Sequence, residues 1–520
     1  MIAVRCVVQL DETVADVPRR LFGTFVEHLG RGVYQGIHEP GHPTADEHGF
    51  RQDVLALVRE LGVTAVRYPG GNFVSGYRWE DGVGPADRRP VRLDGAWHSL
   101  ETNQVGLHEF AGWAKAAGLE LMEAINLGTR GVAEAADLLE YANHPGGTEL
   151  SERRRSNGAD QPFGIRLWCL GNEMDGPWQI GHKTADEYGR LAAETARFLR
   201  FIDPRVELVA AGSSNPEMPT FGSWERTVLR HTAGLVDHIS VHAYYEETGG
   251  DVDSFLASGV GLDRYLDAVA AIVDEVGVEQ GLSHTVGISV DEWNVWYQTR
   301  WNELDKDAVL TGDWPEHPRL LEDEYNVTDA VVVGSLLIAL LRHADRVTMA
   351  NLAQLVNVIA PIRCEPGGPA WRQTTFFPFA LTATEARGRV VRPRIEAPLL
   401  PTAKYGAVPM VDAVSTVDAD GSTSFFIVNR SSQETAELTL DLVGFDLEIL
   451  SAQTLTIPDG GDRFTVNGSD EQPVAPVALQ PVACVTGSNG SAGTRLTAVL
   501  PALSWTVFTF APSPTDGIHA

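Results

Sequence analysis

Cysteine is scarce: four in 520 residues, at Cys6, Cys169, Cys364 and Cys484, with no Cys-x-x-Cys pair. That excludes a disulfide framework and a cysteine zinc site, and Cys169, inside an apolar run, is expected to be a buried free thiol in a reducing compartment. Positive charge is scarce too. Lysine and arginine total 40 against 70 aspartates and glutamates, a formal net charge of −30 with a pI near 4.8. Such acidity opposes polyanionic partners, so neither nucleic acid nor an anionic membrane surface is expected. No apolar run is long enough to span a bilayer; the longest, 330–341, reads as a buried helix. The first residues lack the features of a secretion signal, because Arg5 breaks the apolar stretch and Asp11 and Glu12 follow it. They read as a β-strand, and a cytoplasmic location is expected. What remains is a globular composition, 43% hydrophobic and 21% charged. At this length one ordinary core does not suffice, and a large barrel with a smaller domain is the natural expectation.

Over 19–385 short apolar strands alternate with amphipathic helices. Strands are predicted at 21–28, 63–70, 119–127, 165–170, 206–211, 238–244, 286–290 and 346–352. Helical period is clear in Val54, Leu57, Val58 and Leu61, and again in Leu262, Leu266, Val269 and Val273. Thr184 with Glu187 makes a capping box that starts a further helix. Eight β-then-α units predict an α/β fold, a (β/α)8 TIM barrel. From residue 386 the period drops to two, as in Ala436, Leu438, Leu440 and Leu442, with Gly, Asp, Ser and Pro punctuating the runs. This predicts a C-terminal β-sandwich, jelly-roll-like, which residues 1–18 join as a strand. The last eight residues read as a loose tail. The expected division is a catalytic barrel over 19–385 and a sandwich domain from 1–18 plus 386–520.

Two of these strands lead into glutamates, in Trp168-Cys169-Leu170-Gly171-Asn172-Glu173 and Val290-Asp291-Glu292-Trp293-Asn294. A glutamate at one strand end is commonly just a solvated loop residue; two such motifs, each beside Trp and Asn, carry more. An acetal has no electrophilic carbonyl to attack. It breaks when one carboxylic acid protonates the leaving oxygen and a second carboxylate captures or stabilises the oxocarbenium-like centre. In a barrel the C-terminal strand ends build the site, which is where Glu27, Asn72, Glu173, Tyr244 and Glu292 all fall. The long loops over 72–104 and 296–325 carry Trp79, Trp97, Trp301 and Trp314, expected to be exposed and suited to sugar faces.

Other motifs lead nowhere. His38-Glu39-Pro40-Gly41-His42 spells a zinc-protease string, but Pro-Gly forbids the helix that would put both histidines on one face. The run 176–184 imitates a phosphate loop with His182 where the lysine belongs. His238 and His242 would point the same way along a strand without a visible third ligand, so a hydrogen-bonding role is expected for His242 and no metal.

Five segments together, Phe22-Gly23-Thr24-Phe25-Val26-Glu27-His28, Arg67-Tyr68-Pro69-Gly70-Gly71-Asn72, Gly171-Asn172-Glu173-Met174, Val241-His242-Ala243-Tyr244 and Asp291-Glu292-Trp293-Asn294, resemble the intracellular α-L-arabinofuranosidases of glycoside hydrolase family 51. The likeness covers nearly the whole chain. It implies a retaining enzyme with Glu173 as general acid/base and Glu292 as nucleophile. It further implies that Glu27, Arg67, Asn72, Asn172, Tyr244 and Gln354 hold the furanose or orient the carboxylates, with Trp97 and Trp296 as pocket walls. Members are typically hexameric and use no metal or cofactor. The residue chemistry agrees, since Arg67 or Tyr244 near Glu292 would keep it ionised while Glu173 stays protonated.

The implied substrate is an arabino-oligosaccharide losing its terminal non-reducing α-L-arabinofuranosyl residue. The same machinery would serve β-D-galactofuranosides, whose one extra carbon a pocket discriminates by only about 1–3 kcal/mol. Endo-glucanase action would need an open cleft. A catalytically dead, sugar-binding barrel is the alternative of another class, against which both glutamates stand.

Overall fold

The computed structural model describes residues 1–444, 446–481, 483–486 and 493–513. Eight parallel strands close into a barrel in strict chain order: Gly23–Phe25, Ala65–Tyr68, Glu120–Ala124, Leu167–Leu170, Glu207–Ala210, His238–Tyr245, Gly287–Val295 and Val347–Leu352. All eight fall where the apolar runs predict them. Their short, fully apolar stretches suit strands buried on both faces, with helices outside and packed side chains within. The bottom of the barrel is closed by Arg20, which donates to Glu120 at 2.7 Å and to Glu207 at 2.7 Å, residues that open the third and fifth strands. The helix Ala185–Ile202 begins at the expected capping box, Thr184 accepting from the Glu187 amide.

One strand differs from its prediction in a way that matters. The seventh is predicted to stop at Val290 yet continues to Val295, because Asp291 and Glu292 point inward and find partners there instead of ending the strand in solvent. The loops also differ from expectation. Trp79, Trp97 and Trp301 are buried, and Trp314 is half-buried. Long loops carry their own apolar residues back onto the core: Trp97 packs against Trp301 at 5.9 Å, and His98 stacks on Trp314 at 3.8 Å, joining the two loops above the barrel mouth.

Twelve of the remaining strands form two sheets. Five strands order as Arg394–Glu396, Ile2–Gln9, Ala436–Val443, Gly493–Leu500 and Ala483–Thr486; seven order as Thr13–Asp16, Arg389–Val391, Val411–Val417, Thr423–Asn429, Ser504–Pro512, Leu447–Leu455 and Val477–Ala478. The N-terminal segment supplies one strand to each sheet. Val4, Cys6 and Val8 meet Leu438, Leu440, Phe425 and Phe508 in the core between them. Barrel and sandwich are joined by the helix Val327–Arg342, buried along its length as the apolar run predicts. Gly334 is required at its closest approach, since a Cβ there would lie 2.2 Å from Cδ1 of Trp505 in the sandwich.

The zinc-like string 38–42 forms no helix, and the His42 ring is committed to Thr44 and to the Gly368 carbonyl, each at 2.9 Å. Cys6, Cys169 and Cys364 are buried free thiols; the Cys484 side chain lies outside the described residues, as does the expected tail beyond Ser513. No described helix is long and apolar enough to cross a membrane.

Candidate active site

Barrel closure brings Glu292 against residues far away in sequence. Arg67, on the second strand, donates to Oε1 of Glu292 at 2.8 Å, and the Tyr244 hydroxyl, on the sixth, donates to Oε2 at 2.7 Å. Burial alone would raise the pKa of this carboxyl. The positive charges of His242 and Arg67, with hydrogen bonds from Tyr244 and Arg67, outweigh it and hold Glu292 below the usual carboxylate range. Its neighbour Asp291 faces elsewhere, accepting from Ser289 and lying near Cys169 and the Arg67 Nε beneath the site.

Glu173 stands in the turn after the fourth strand. Gly171, with φ of 91°, lets the chain reverse, and Glu173 itself sits in the left-handed region at φ 44°. For a residue with a Cβ this conformation costs on the order of 1 kcal/mol, and it turns the carboxyl toward the barrel axis. Trp178 Nε1 donates to its Oε2 at 2.6 Å, and His242 Nδ1 lies 2.9 Å from its Oε1 and 3.5 Å from Oε2 of Glu292. One atom each of Glu173, His242 and Glu292 lies within 4.8 Å of the others. The expectation that His242 lacks further potential ligands is thus corrected: the seventh strand and the turn after the fourth supply two carboxylates. His238, by contrast, turns toward Thr348, 3.0 Å away. Burial disfavours charge on His242, but Glu292 and Glu173 together raise its pKa above the ordinary histidine value.

A third carboxyl closes the constellation. Glu27 accepts from the Phe73 amide and Trp97 Nε1, both at 2.8 Å, on one oxygen and from Gln354 Nε2 at 3.2 Å on the other. Burial is nevertheless the larger influence and, with Glu292 nearby, pushes Glu27 up to about 8, which disfavours a second adjacent negative charge in the pocket. Gly71 separates Glu27 and Glu292; a Cβ would come within 3.1 Å of Glu292 and 3.2 Å of Glu27.

These groups open onto a cavity of about 1040 Å³. Glu27, Asn72, Trp97, Glu173, Tyr244, Glu292, Trp296 and Gln354 line it, so eight of the eleven residues named from sequence face one space. Arg67, Asn172 and His242 do not. Arg67 and His242 sit behind the wall and touch its carboxylates; Asn172 accepts from Arg67 at 2.6 Å and contacts Asn72 at 3.5 Å.

Comparison with known proteins agrees with this geometry. A model of the α-L-arabinofuranosidase 1 domain matches residues 57–265, and one of the α-L-arabinofuranosidase C-terminal domain matches 291–504. An exo-α-(1→6)-L-arabinofuranosidase of Bifidobacterium longum is 56% identical over 510 residues, 96% of either chain. An intracellular exo-α-(1→5)-L-arabinofuranosidase of Streptomyces lividans is 58% identical over 496 residues, 95% of this chain and 73% of its own. A solved family 51 α-L-arabinofuranosidase from Bifidobacterium longum, 46% identical, matches 98% of this chain and 100% of that one with a TM-score of 0.91. The chain belongs to the family 51 α-L-arabinofuranosidases.

Within this family 51 barrel, sequence reasoning missed Trp178. It is 45% exposed and is the one tryptophan that both lines the cavity and contacts Glu173. It lies in the turn-rich run dismissed as a false phosphate loop, where nothing periodic marks a side chain as inward-facing. The acidic pair 291–292 lies at a register shift between Val290 and Trp293, where regular alternation fails: both carboxylates approach Arg67, but only Glu292 lines the cavity.

Proposed function

We propose that this family 51 α-L-arabinofuranosidase releases terminal α-L-arabinofuranosyl residues from arabino-oligosaccharides by double displacement with retention, using Glu292 as nucleophile and Glu173 as acid/base. The observation that carries the assignment is the pairing of two carboxyls less than 5 Å apart, oxygen to oxygen, one of which, Glu292, is held ionised by His242, Arg67 and Tyr244. That spacing, close to the roughly 5–5.5 Å of retaining glycosidases, leaves no room for a water to attack from behind. Glu292, ionised and aimed by Arg67 and Tyr244, attacks the anomeric carbon. The proton for the leaving oxygen comes from the Glu173–His242 contact; at 2.9 Å one proton serves either atom, and it passes to the aglycone as Glu173 acts as acid. With the glycosyl-enzyme formed, Glu173 takes a proton from the incoming water as the water oxygen bonds to the anomeric carbon and the Glu292 carboxylate leaves, restoring both residues.

We take 19–385 as the catalytic unit and 1–18 plus 386–520 as the sandwich domain. Glu27, Asn72, Tyr244 and Gln354 bind the furanose, and Trp97 and Trp296 wall it. The Streptomyces lividans relative is named intracellular, which supports a cytoplasmic location, and the family resemblance supports a homo-oligomer of six. The scheme draws on no metal and no cofactor.

A panel of nitrophenyl furanosides and pyranosides tests the reading, with the anomer of the first product read by NMR. Selective turnover of the α-L-arabinofuranoside with retention is expected; an inverted first product or preference for a pyranoside would sink it. A finer check uses Tyr244→Phe. Glu292 is active only when ionised, and its depressed pKa keeps it ionised as pH falls, so removing the Tyr244 donor raises that pKa. The acid limb of the kcat/KM profile should move to higher pH. An unmoved limb would mean that Glu292 does not set it.

A further inference from the structure

The cavity is larger than the proposed chemistry at its floor requires. Pockets of about 300–1,000 Å³ enclose ligands of drug size, whereas one pentose and the sugar it leaves are smaller than the 1040 Å³ present. The excess leads away from Glu173 toward an element outside the barrel. Strands Leu399–Thr402 and Gly406–Pro409 form a hairpin whose tip, Ala403, Lys404 and Tyr405, lines the same cavity.

The tip is held firmly. The Lys404 amide donates to Ser254 Oγ at 3.0 Å, and Arg264 donates to the Tyr405 carbonyl at 3.0 Å. Leu400 and Val408 bury against Ala257, and Gly261 leaves room for the Tyr405 hydroxyl, which a Cβ would meet at 2.7 Å. At the tip, Lys404 Nζ lies 3.2 Å from Oε1 of Glu217, with the two side chains 56% and 63% exposed. An ion pair so open to water adds little to folding. It does present charged donors and an acceptor side by side on a cavity wall, the arrangement that binds neighbouring sugar hydroxyls. The chain has only four lysines, Lys115, Lys183, Lys306 and Lys404, and two of them line this cavity. Tyr405 is no stacking platform, because Lys404 and Arg264 lie over its ring at 5.7 and 5.9 Å. It steadies the lysine.

We infer that Lys404 and Glu217 form a binding position for the leaving-group chain, engaging the sugar beyond the one that carries the scissile oxygen. This rests on the proposed exo-arabinofuranosidase reading. Substrates of three or more units reach the position; two-unit substrates do not. The test compares kcat/KM on α-linked arabinotriose and arabinobiose. In wild type the triose should be preferred, and Lys404→Ala should lower the triose-to-biose ratio about tenfold, the size of one hydrogen bond to a charged group. Glu217→Gln should lower it in the same direction, mainly through KM on the triose. Lys404→Met, which retains the side-chain stem over Tyr405, separates the charge from the packing and should behave like Lys404→Ala. A ratio unchanged in all three variants would overturn the inference, as would an equal loss on both substrates. Failure of the wild type to cleave any arabinofuranoside would instead sink the function on which it rests.

Discussion

Glu292→Ala is expected to lose essentially all turnover, on the order of 10⁴-fold or more in kcat, on every substrate and at every leaving group. No other carboxylate can take its place. Burial disfavours the ionised form of Glu27, whose oxygens are already engaged by three donors, and in the proposed scheme Glu173 faces the leaving group. The variant should fold, because its partners Arg67 and Tyr244 keep other contacts: Arg67 still bonds Asn172 and approaches Asp291 at 3.8 Å, and Tyr244 still packs on Trp296 at 5.0 Å. Asp291→Ala is the informative control. Asp291 lies beneath the site, where it helps to balance Arg67, so its loss should weaken activity while leaving measurable turnover. Steady-state rates of the two variants on a nitrophenyl arabinofuranoside decide the matter, and equal, complete losses would show that the wrong member of the acidic pair had been chosen.

Glu173→Ala should separate the two steps of the reaction. A nitrophenolate leaves as a stable anion and needs little protonation, so formation of the glycosyl-enzyme survives while cleavage of natural arabinosides falls by about 10²–10⁴-fold. Water then attacks without a base. The expected trace is a burst of nitrophenol followed by slow turnover, and azide, which needs no deprotonation, should restore the rate and give an azide adduct with the configuration of the substrate. His242 sharpens the expectation. With Glu173 gone it still faces Glu292 at 3.5 Å, so residual pH dependence should follow the histidine. Equal loss on activated and natural substrates, with no burst and no azide effect, would assign Glu173 a structural role and move the search to Glu27.

The barrel was legible because a strand buried on both faces is written as a short apolar run, and eight such runs separated by helical periods admit few other architectures. Strand ends were less legible. Asp291 and Glu292 read as the close of a strand, since polarity usually marks solvent; here the inward-facing charge is met by Arg67 from another strand, a partner that exists only after closure. The same reason hid the role of His242 between two glutamates and put Arg67 and Asn172 behind the cavity wall. Trp79 and Trp301 were expected in solvent because they occur in loops, but large aromatic surface draws a long loop back onto the core. Trp178 and the hairpin tip at Lys404 belong to turns, whose side-chain directions follow from local backbone geometry and leave no periodic trace.

The parallel pairing of Ile2–Gln9 with Ala436–Val443 sets an order of events during synthesis. The first strand leaves the ribosome carrying Val4, Cys6 and Val8 on one face, and its central partner is translated only after the entire barrel. Until then one edge of that strand is unpaired, the short strand Arg394–Glu396 on its other edge being the only partner in this sheet made earlier, and an unpaired edge is the condition under which nascent chains aggregate or exchange strands. The barrel therefore matures as an insertion between two halves of an unfinished domain. Any stall or truncation upstream of residue 436 leaves the earliest-made strand exposed longest, so the C-terminal sandwich decides how cleanly the rest of the molecule is produced.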